Sequence, residues 1–546
     1  MSSYINNKII VYIFFISYFL VGILTFRDYG VNIEEPTQLY SGYYWLSYIV
    51  NYLNFNELKP LVDEYFFSLK KDTLLPSPEI YGPIFDVPTA FIDVFLELNK
   101  EVYNYEYRHF IVFVIFFLCS TFVFKILFKR HNSIFVSLFG TSLYILSPRI
   151  FGDSFHNNKD IIFLSLVVCS IYFIFRIFEK KKIKYLFLFS VFSALATSTR
   201  VMGIFLPISL FLFLILGNKK DDLTANAKYI LITFISYFII LYLHWPYLWE
   251  NPLTNFINFI FKSKEWIYSY YILFNGKYYL TTNLPDSFIF VWIGISTPIV
   301  NLLLFFYGYL FILRRFFKRF ILVDLKKDFN NDLWRGINEK KDFYIFFSLT
   351  SIILILVFLN VSLVSGWRHL YFLNFYIIYL ATYCIKIFFI KLKKKNLSKA
   401  YFFLTILLLP AAIKIIILHP FQSLYFNELL NDNKKNQFLV DRDGITSLNS
   451  FEKILEFEKQ SNQIYLANAS FLPYYRISKS LELKLQNRLN FTGTDFNKAD
   501  YIFNNFVYEV DPEYNDKYKI PGNFRLIYSL ELDGIKMYEL YKKRNN

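Results

Sequence analysis

Only three cysteines occur in 546 residues, and Cys119, Cys169 and Cys384 all lie within apolar runs. They leave no pair for a disulfide framework and no CxxC spacing for a metal, so they read as packing or lipid-facing groups. Charge is scarce too. Asp, Glu, Lys and Arg make up 18% of the chain, against about 25% in soluble domains. There is no Walker A or GxGxxG run, no internal repeat and no low-complexity tract, which removes a nucleotide fold and a solenoid from consideration. Apolar residues are plentiful: 55% are hydrophobic and 22% aromatic, with a mean hydropathy of +0.34. This is the composition of an integral membrane protein.

Apolar spans can be drawn at 8–26, 108–126, 133–147, 160–178, 184–199, 201–217, 229–245, 288–313, 343–361, 370–390 and 400–419. Most are long enough for a transmembrane helix. The first lacks a small-residue cleavage site and reads as an uncleaved span. Runs of Lys and Arg at 125–130, 180–184, 219–228, 314–341 and 391–399 fall between alternate pairs of spans. Short basic loops beside spans mark the cytoplasmic face, so the net charge of +15 reports topology and not a nucleic-acid partner. Eleven crossings from a cytoplasmic N-terminus put the C-terminus outside. The expected architecture is an α-helical polytopic membrane protein with a membrane domain over 1–430 and a small soluble α/β domain over 431–546. In that tail a helix is expected near 450–459, with strands at 463–467, 500–510 and 525–540. The first outer loop, 27–107, contains amphipathic stretches at 43–55 and 85–98 that fit interfacial helices. The second, 244–287, is rich in Trp and Tyr, as in a headgroup-level belt.

The polar signals gather on the non-cytoplasmic side. Asp28, Glu34 and Glu35 follow the first span. Paired acids at a bilayer surface can serve as a general base whose pKa rises on desolvation, or can simply start a helix, where acids suit the dipole. His156, Lys159 and Asp160 head the fourth span. Asp160 is either a helix cap or a group that holds a divalent metal or positions a substrate. Arg200 sits in a tight turn between two short spans, and Trp367-Arg368-His369 lies between the ninth and tenth. A guanidinium there suits bidentate phosphate binding, and interface anchoring is the other reading. His244 and His419 end spans and have bland structural readings beside any catalytic one.

In order along the chain come the acidic pair, Asn157-Asn158-Lys159-Asp160, Ser198-Thr199-Arg200, Gly366-Trp367-Arg368-His369 and His419-Pro420 with Tyr425-Phe426-Asn427. This series resembles the bacterial GT-C glycosyltransferases of the family 39/83 group, which are related to protein O-mannosyltransferases and to the lipid A aminoarabinose transferase. The resemblance covers about residues 10–450, and the stretch from Asp441 to Gly444 looks like a further family segment without the usual aromatic pair. It implies a GT-C fold and an inverting transferase that moves a sugar from a polyprenyl-phosphate-linked donor to a glycan, lipid or protein hydroxyl. The active site would face the periplasm of the bacterial inner membrane. Glu34 aligns with the family's acidic base, commonly Asp, and Glu35 with its neighbour. Arg200, Arg368, His369 and Lys159 would bind the donor phosphate. A divalent ion near Asp160 would be the only cofactor. The alternative class is a transporter or flippase of lipid-linked saccharides, which would favour charges buried mid-span and repeated or broken helices.

Overall fold

The computed structural model describes the chain apart from residues 1, 71–80, 99–101, 103, 217–222, 264–268, 322–332, 360, 362, 364–365, 394–395, 460–462 and 545–546. Parts of the basic runs at 219–228, 314–341 and 391–399 lie outside the described residues.

The first half runs α1 (Ser2–Thr25), α2 (Glu35–Tyr52), α3 (Lys59–Lys70), α4 (Asp86–Phe95), α5 (Glu106–His131), α6 (Ile134–Ile145), α7 (Pro148–His156), α8 (Asn158–Glu179), α9 (Ile183–Thr199), α10 (Phe205–Ile215) and α11 (Leu223–His244). Then come α12 (Pro252–Lys262), the hairpin β1 (Tyr271–Phe274) and β2 (Lys277–Leu280), α13 (Phe288–Ser296), α14 (Ile299–Ile321), α15 (Ile337–Phe358), α16 (Leu373–Lys391), α17 (Leu397–Ile406) and α18 (Leu409–Ile417). Eight helices among the described residues are long and apolar enough to cross a membrane, or nine if the pair α6 and α7, bent by 66°, is one span. Two shorter apolar helices, Ile183–Thr199 and Val201–Ile215, bring the segments to the eleven expected. Helix α8 is the centre of the bundle: 83% of its apolar window is buried, against 11% for the first span and 6% for Leu397–Ile417.

The span expected at 288–313 is broken, because Pro298 has no N–H to continue the ladder and follows Thr297 in extended backbone. The carbonyls left free there are capped by the tail. Asn427 Nδ2 donates to Gly294 O and Thr297 O, each at 2.6 Å, and Asn427 N donates to Ile295 O at 2.7 Å. The amphipathic stretches expected at 43–55 and 85–98 fall in helices α2 and α4. Gly42 lets them close, since a Cβ there would stand 2.5 Å from Asp86 O. Loop 27–107 docks on α5 through the buried Asp93, which accepts from Arg108 Nη2 at 2.7 Å, Tyr43 Oη at 3.0 Å and Tyr107 Oη at 2.5 Å.

The aromatic belt expected at 244–287 is partly a docking surface. Its β1–β2 hairpin receives the tail, with Gly276 N donating to Gln437 O at 2.9 Å and Leu439 N to Leu273 O at 2.8 Å. Beyond α19 (Asp432–Lys435) and α20 (Ser447–Phe457), the tail forms β3 (Ile464–Asn468), α21 (Tyr474–Ile477), α22 (Leu483–Gln486), β4 (Leu489–Gly493), β5 (Tyr501–Asn504), β6 (Phe524–Leu532) and β7 (Ile535–Lys543). The sheet order is β4-β3-β5-β7-β6. Strand β3 pairs in parallel with β4 and β5, while β7 is antiparallel to β5 and β6. The single strand expected at 525–540 is two, turned at Asp533-Gly534, where both residues have positive φ, 53° and 71°. That is the backbone of a type I′ hairpin.

The charges segregate to the two ends of the bundle. At the end opposite the first loop, Asp342 is fully buried and accepts from Arg130 Nε at 2.6 Å, Arg130 Nη2 at 2.7 Å and Tyr379 Oη at 2.9 Å. Lys341 pairs with Glu179 at 2.7 Å and Arg319 with Glu339 at 2.8 Å at the same end. Removing one partner of such a buried pair costs about 3–5 kcal/mol. Asp342→Ala should lower unfolding stability in detergent by that order. A loss below about 1 kcal/mol in a denaturant titration would reduce the cluster to surface ion pairing.

Candidate functional site

At the other end of the same helices, five segments distant in sequence meet. Asn157 caps α8: its Oδ1 accepts from Asp160 N at 3.0 Å, and its Nδ2 donates to Asp160 Oδ2 at 3.0 Å. Asp160 is thereby held at the head of the most buried helix. Arg200 follows α9 in extended backbone and pairs with Asp160 Oδ1. Arg368, in a short 3-10 turn before α16, has a side chain only 3% exposed. Its Nη2 pairs with Glu34, its Nη1 with Asp443 at 2.8 Å, and its Nε stands 3.6 Å from Asp160 Oδ2. Arg442 Nη1 lies 3.6 Å from Glu34 and 3.5 Å from Asp443, and Arg442 Nε donates to Tyr270 Oη at 2.9 Å. Arg368, Glu34, Arg442 and Asp443 thus close into a ring, from which Asp160 and Arg200 branch.

Backbone contacts fix the ring. Ile33 N donates to Asp443 O at 2.9 Å. Gly30 passes so close that a Cβ would stand 2.3 Å from Ile445 O, so the first loop and the 441–445 turn lie directly against each other. Asp441 shapes that turn by accepting from Ile445 N at 3.0 Å and Thr446 Oγ1 at 2.5 Å. Burial pushes its carboxyl up to about 7.

The ring borders a cavity of about 980 Å³ between the membrane helices and the tail. Glu34, Lys159 and Arg442 stand on its wall, and the Lys159 ammonium lies over the ring of Tyr81. Three buried donors, Arg200 Nε, Arg368 Nε and Arg442 Nη1, have no hydrogen-bond partner among the described residues. The last two face Asp160, Glu34 and Asp443 at 3.5–3.6 Å without hydrogen bonding, and guanidiniums so loosely held beside a lysine suit an anion with several oxygens.

The structure separates the two acids. Glu34 reaches the cavity. Glu35 does not: its Oε1 meets His109 Nε2 at 2.9 Å, and its Oε2 accepts from Asn32 N at 2.8 Å. The expectation that desolvation raises the pKa of the pair fails for Glu34. Burial does oppose its charge, but Arg368, Arg442 and Lys159 outweigh that and hold the carboxyl well below the usual range.

Both oxygens of Asp160 face guanidinium or amide donors, and the described residues contain no group of three ligating side chains placed for a metal. Burial, Arg200 and Arg368 push the pKa of His369 well below its ordinary value. His244 is spent on Ser198 Oγ at 2.8 Å and Ile240 O at 2.6 Å. His419 pairs with Asp28 at 2.9 Å away from the cavity wall. His156 is buried 3.7 Å from Asp153 and is not on the wall.

Sequence reasoning missed Arg442, Asp443 and Asp86. The stretch from Asp441 to Gly444 carried a signal for the first two. Asp86 lines the cavity and accepts from Asn158 Nδ2 at 3.3 Å. Nothing in the sequence around it tells a site residue from an N-terminal helix acid.

Residues 88–245 match the family model described as dolichyl-phosphate-mannose-protein mannosyltransferase. No curated protein matches the chain. Two solved structures, ArnT from Cupriavidus metallidurans in the apo state and the same protein bound to undecaprenyl phosphate, each align over 97% of both chains at 10% identity and a TM-score of 0.46.

Burial raises the Asp86 carboxyl from 3.8 to about 6, against the pull of Arg108 and Lys159. An acid raised on folding costs stability as pH climbs from its unfolded to its folded pKa, and the full cost persists above that. Asp86→Asn should therefore raise the thermal midpoint most above pH 6, with the gain fading towards pH 4. Equal midpoints at pH 7.5 and pH 4 would show that the carboxyl is not desolvated.

Proposed function

With residues 88–245 matching a family that uses a lipid-phosphate-linked sugar, and with the ring of arginines beside a large cavity, we propose that this chain is an inverting glycosyltransferase. Its donor is a polyprenyl-phosphate-linked sugar, and its acceptor is a hydroxyl of a glycan, lipid or protein. The alternating basic loops support a cytoplasmic N-terminus and a cavity on the outer face of a bacterial inner membrane. The observation that carries the reading is the set of unspent donors on Arg200, Arg368 and Arg442, close to a carboxylate that opens to the cavity.

In the resting ring, Glu34 occupies the guanidinium faces that a donor phosphate would take. Phosphate binding competes for Arg368 and Arg442 and so weakens the hold that keeps Glu34 a poor base. The acceptor oxygen attacks the anomeric carbon, and the bond from that carbon to the phosphate oxygen breaks with its electron pair leaving on the phosphate. The acceptor proton passes to Glu34. In one step the phosphate gains a negative charge and the ring loses one, so the ring becomes more positive as the leaving group becomes more negative. Arg200 adds a further guanidinium beside Asp160.

The test uses purified protein and a labelled polyprenyl-phosphate sugar. Glu34→Gln should cost on the order of 10²–10⁴ in turnover, while Glu35→Gln, which loosens only the Asn32 and His109 contacts, should cost less. Glu34→Gln also fixes the ring in its post-transfer charge state, so it should hold free polyprenyl phosphate on the order of tenfold tighter than the parent. Loss of turnover with weakened phosphate binding would make Glu34 a brace for Arg368 and not a base. Absence of sugar release in the parent protein would remove the transferase reading.

A further inference from the structure

The soluble domain has a ligand-binding edge of its own. In its sheet β3 lies between β4 and β5, all three parallel. The chain therefore leaves β3 to one side and returns to the other. In open parallel sheets that change of direction opens a crevice beyond the carboxyl ends of the strands, where ligands bind. Here the two lips of the crevice are tied together, with Ala469 N donating to Phe503 O at 2.8 Å and Phe471 N to Val507 O at 2.6 Å. The residues at these strand ends (Asn468, Ser470, Phe471, Gly493, Thr494 and Val507) all line the same cavity that Glu34 enters. The tail thus turns its crevice onto the membrane domain.

The chemistry of the walls narrows the ligand. Phe471 and Tyr475 are 40% and 37% exposed; Phe471 packs near Tyr270 and Arg476 stands over the Tyr475 ring, and both aromatics keep part of their surface on the cavity wall. Across the cavity, Ser41 Oγ and Gln38 Oε1 are buried and have no hydrogen-bond partner among the described residues. Ser41 is only 5% exposed, and an unpaired buried hydroxyl is costly unless a ligand completes it. Flat apolar faces on one side and small hydrogen-bonding groups on the other match a pyranose, which has an apolar C–H face and a rim of hydroxyls. A peptide would instead call on a backbone edge.

We propose that the carboxyl ends of β3, β4 and β5, with Phe471 and Tyr475, form a saccharide subsite that holds a glycan acceptor against the transfer centre. This rests on the proposed transferase function for its role, but not for its ligand class.

The test is backbone hydrogen exchange on the full chain in nanodiscs. Chitobiose or cellobiose at tens of millimolar should slow exchange several-fold at 468–471 and 504–507, and glycerol at equal concentration should not. Phe471→Ala with Tyr475→Ala, both partly exposed positions, should abolish the protection without moving the thermal midpoint. If neither disaccharide protects the parent chain, or if a serine- and threonine-containing peptide protects it instead, the subsite is overturned. Protection that survives the double substitution also overturns it, and should that variant unfold, the parent chain alone decides. Binding of polyprenyl phosphate, measured in parallel, reads the transfer centre. Its failure beside intact saccharide protection would overturn the transferase reading and leave the subsite standing.

Discussion

One guanidinium organises this molecule. Arg368 reaches Glu34 ahead of α2, Asp160 at the head of α8 and Asp443 in the tail, so it joins the first loop, the central helix and the soluble domain at a point. A cation 3% exposed is tolerable only because carboxylates surround it. Such a network is seldom worth its desolvation as a source of stability, since apolar replacements of similar volume often do as well. The unspent N–H groups on its arginines point the same way: the network is incomplete as a structural device and sits beside a cavity where an anion would complete it.

The two ends of the bundle make a useful contrast. Asp342 is held by Arg130 and Tyr379 and is not on the wall of the large cavity, so its role is to hold helix ends together. The ring at the opposite end has comparable charge but keeps donors in reserve and opens on about 980 Å³ of space. Number and type of charged residues do not separate the two clusters. Saturation does.

Much of the fold was legible because hydropathy and charge sidedness are strong signals in a membrane chain: the spans, the shared face of Glu34, Asp160, Arg200 and Arg368, and the helices α2 and α4 all follow from them. The breaks were harder. Pro298 divides an apolar run without lowering its hydropathy, and Asp533-Gly534 turns a run that periodicity alone reads as one strand. In the site, sequence order suggested Glu34 and Arg368, but only the fold shows that Glu35 is used up by His109 and Asn32. Asp86 and Ser41 were illegible for a plain reason. Their importance lies in which cavity they face, and a one-dimensional pattern holds no record of that.

The ring also has a cost in time. Its members run from Glu34 to Asp443, about 400 residues apart, and chain synthesis proceeds at roughly 5–20 residues per second. Glu34 and Asp160 therefore wait tens of seconds at the membrane edge before Arg368 and then Arg442 are made. Until then these carboxylates lack the guanidinium of Arg368. The turn at 441–445, which seats against Gly30 and Ile33, is the last part of the charged network to be made. The cavity wall from Leu466 to Val507 is made later still, so a chain cut before residue 441 would lack both Arg442 and that wall.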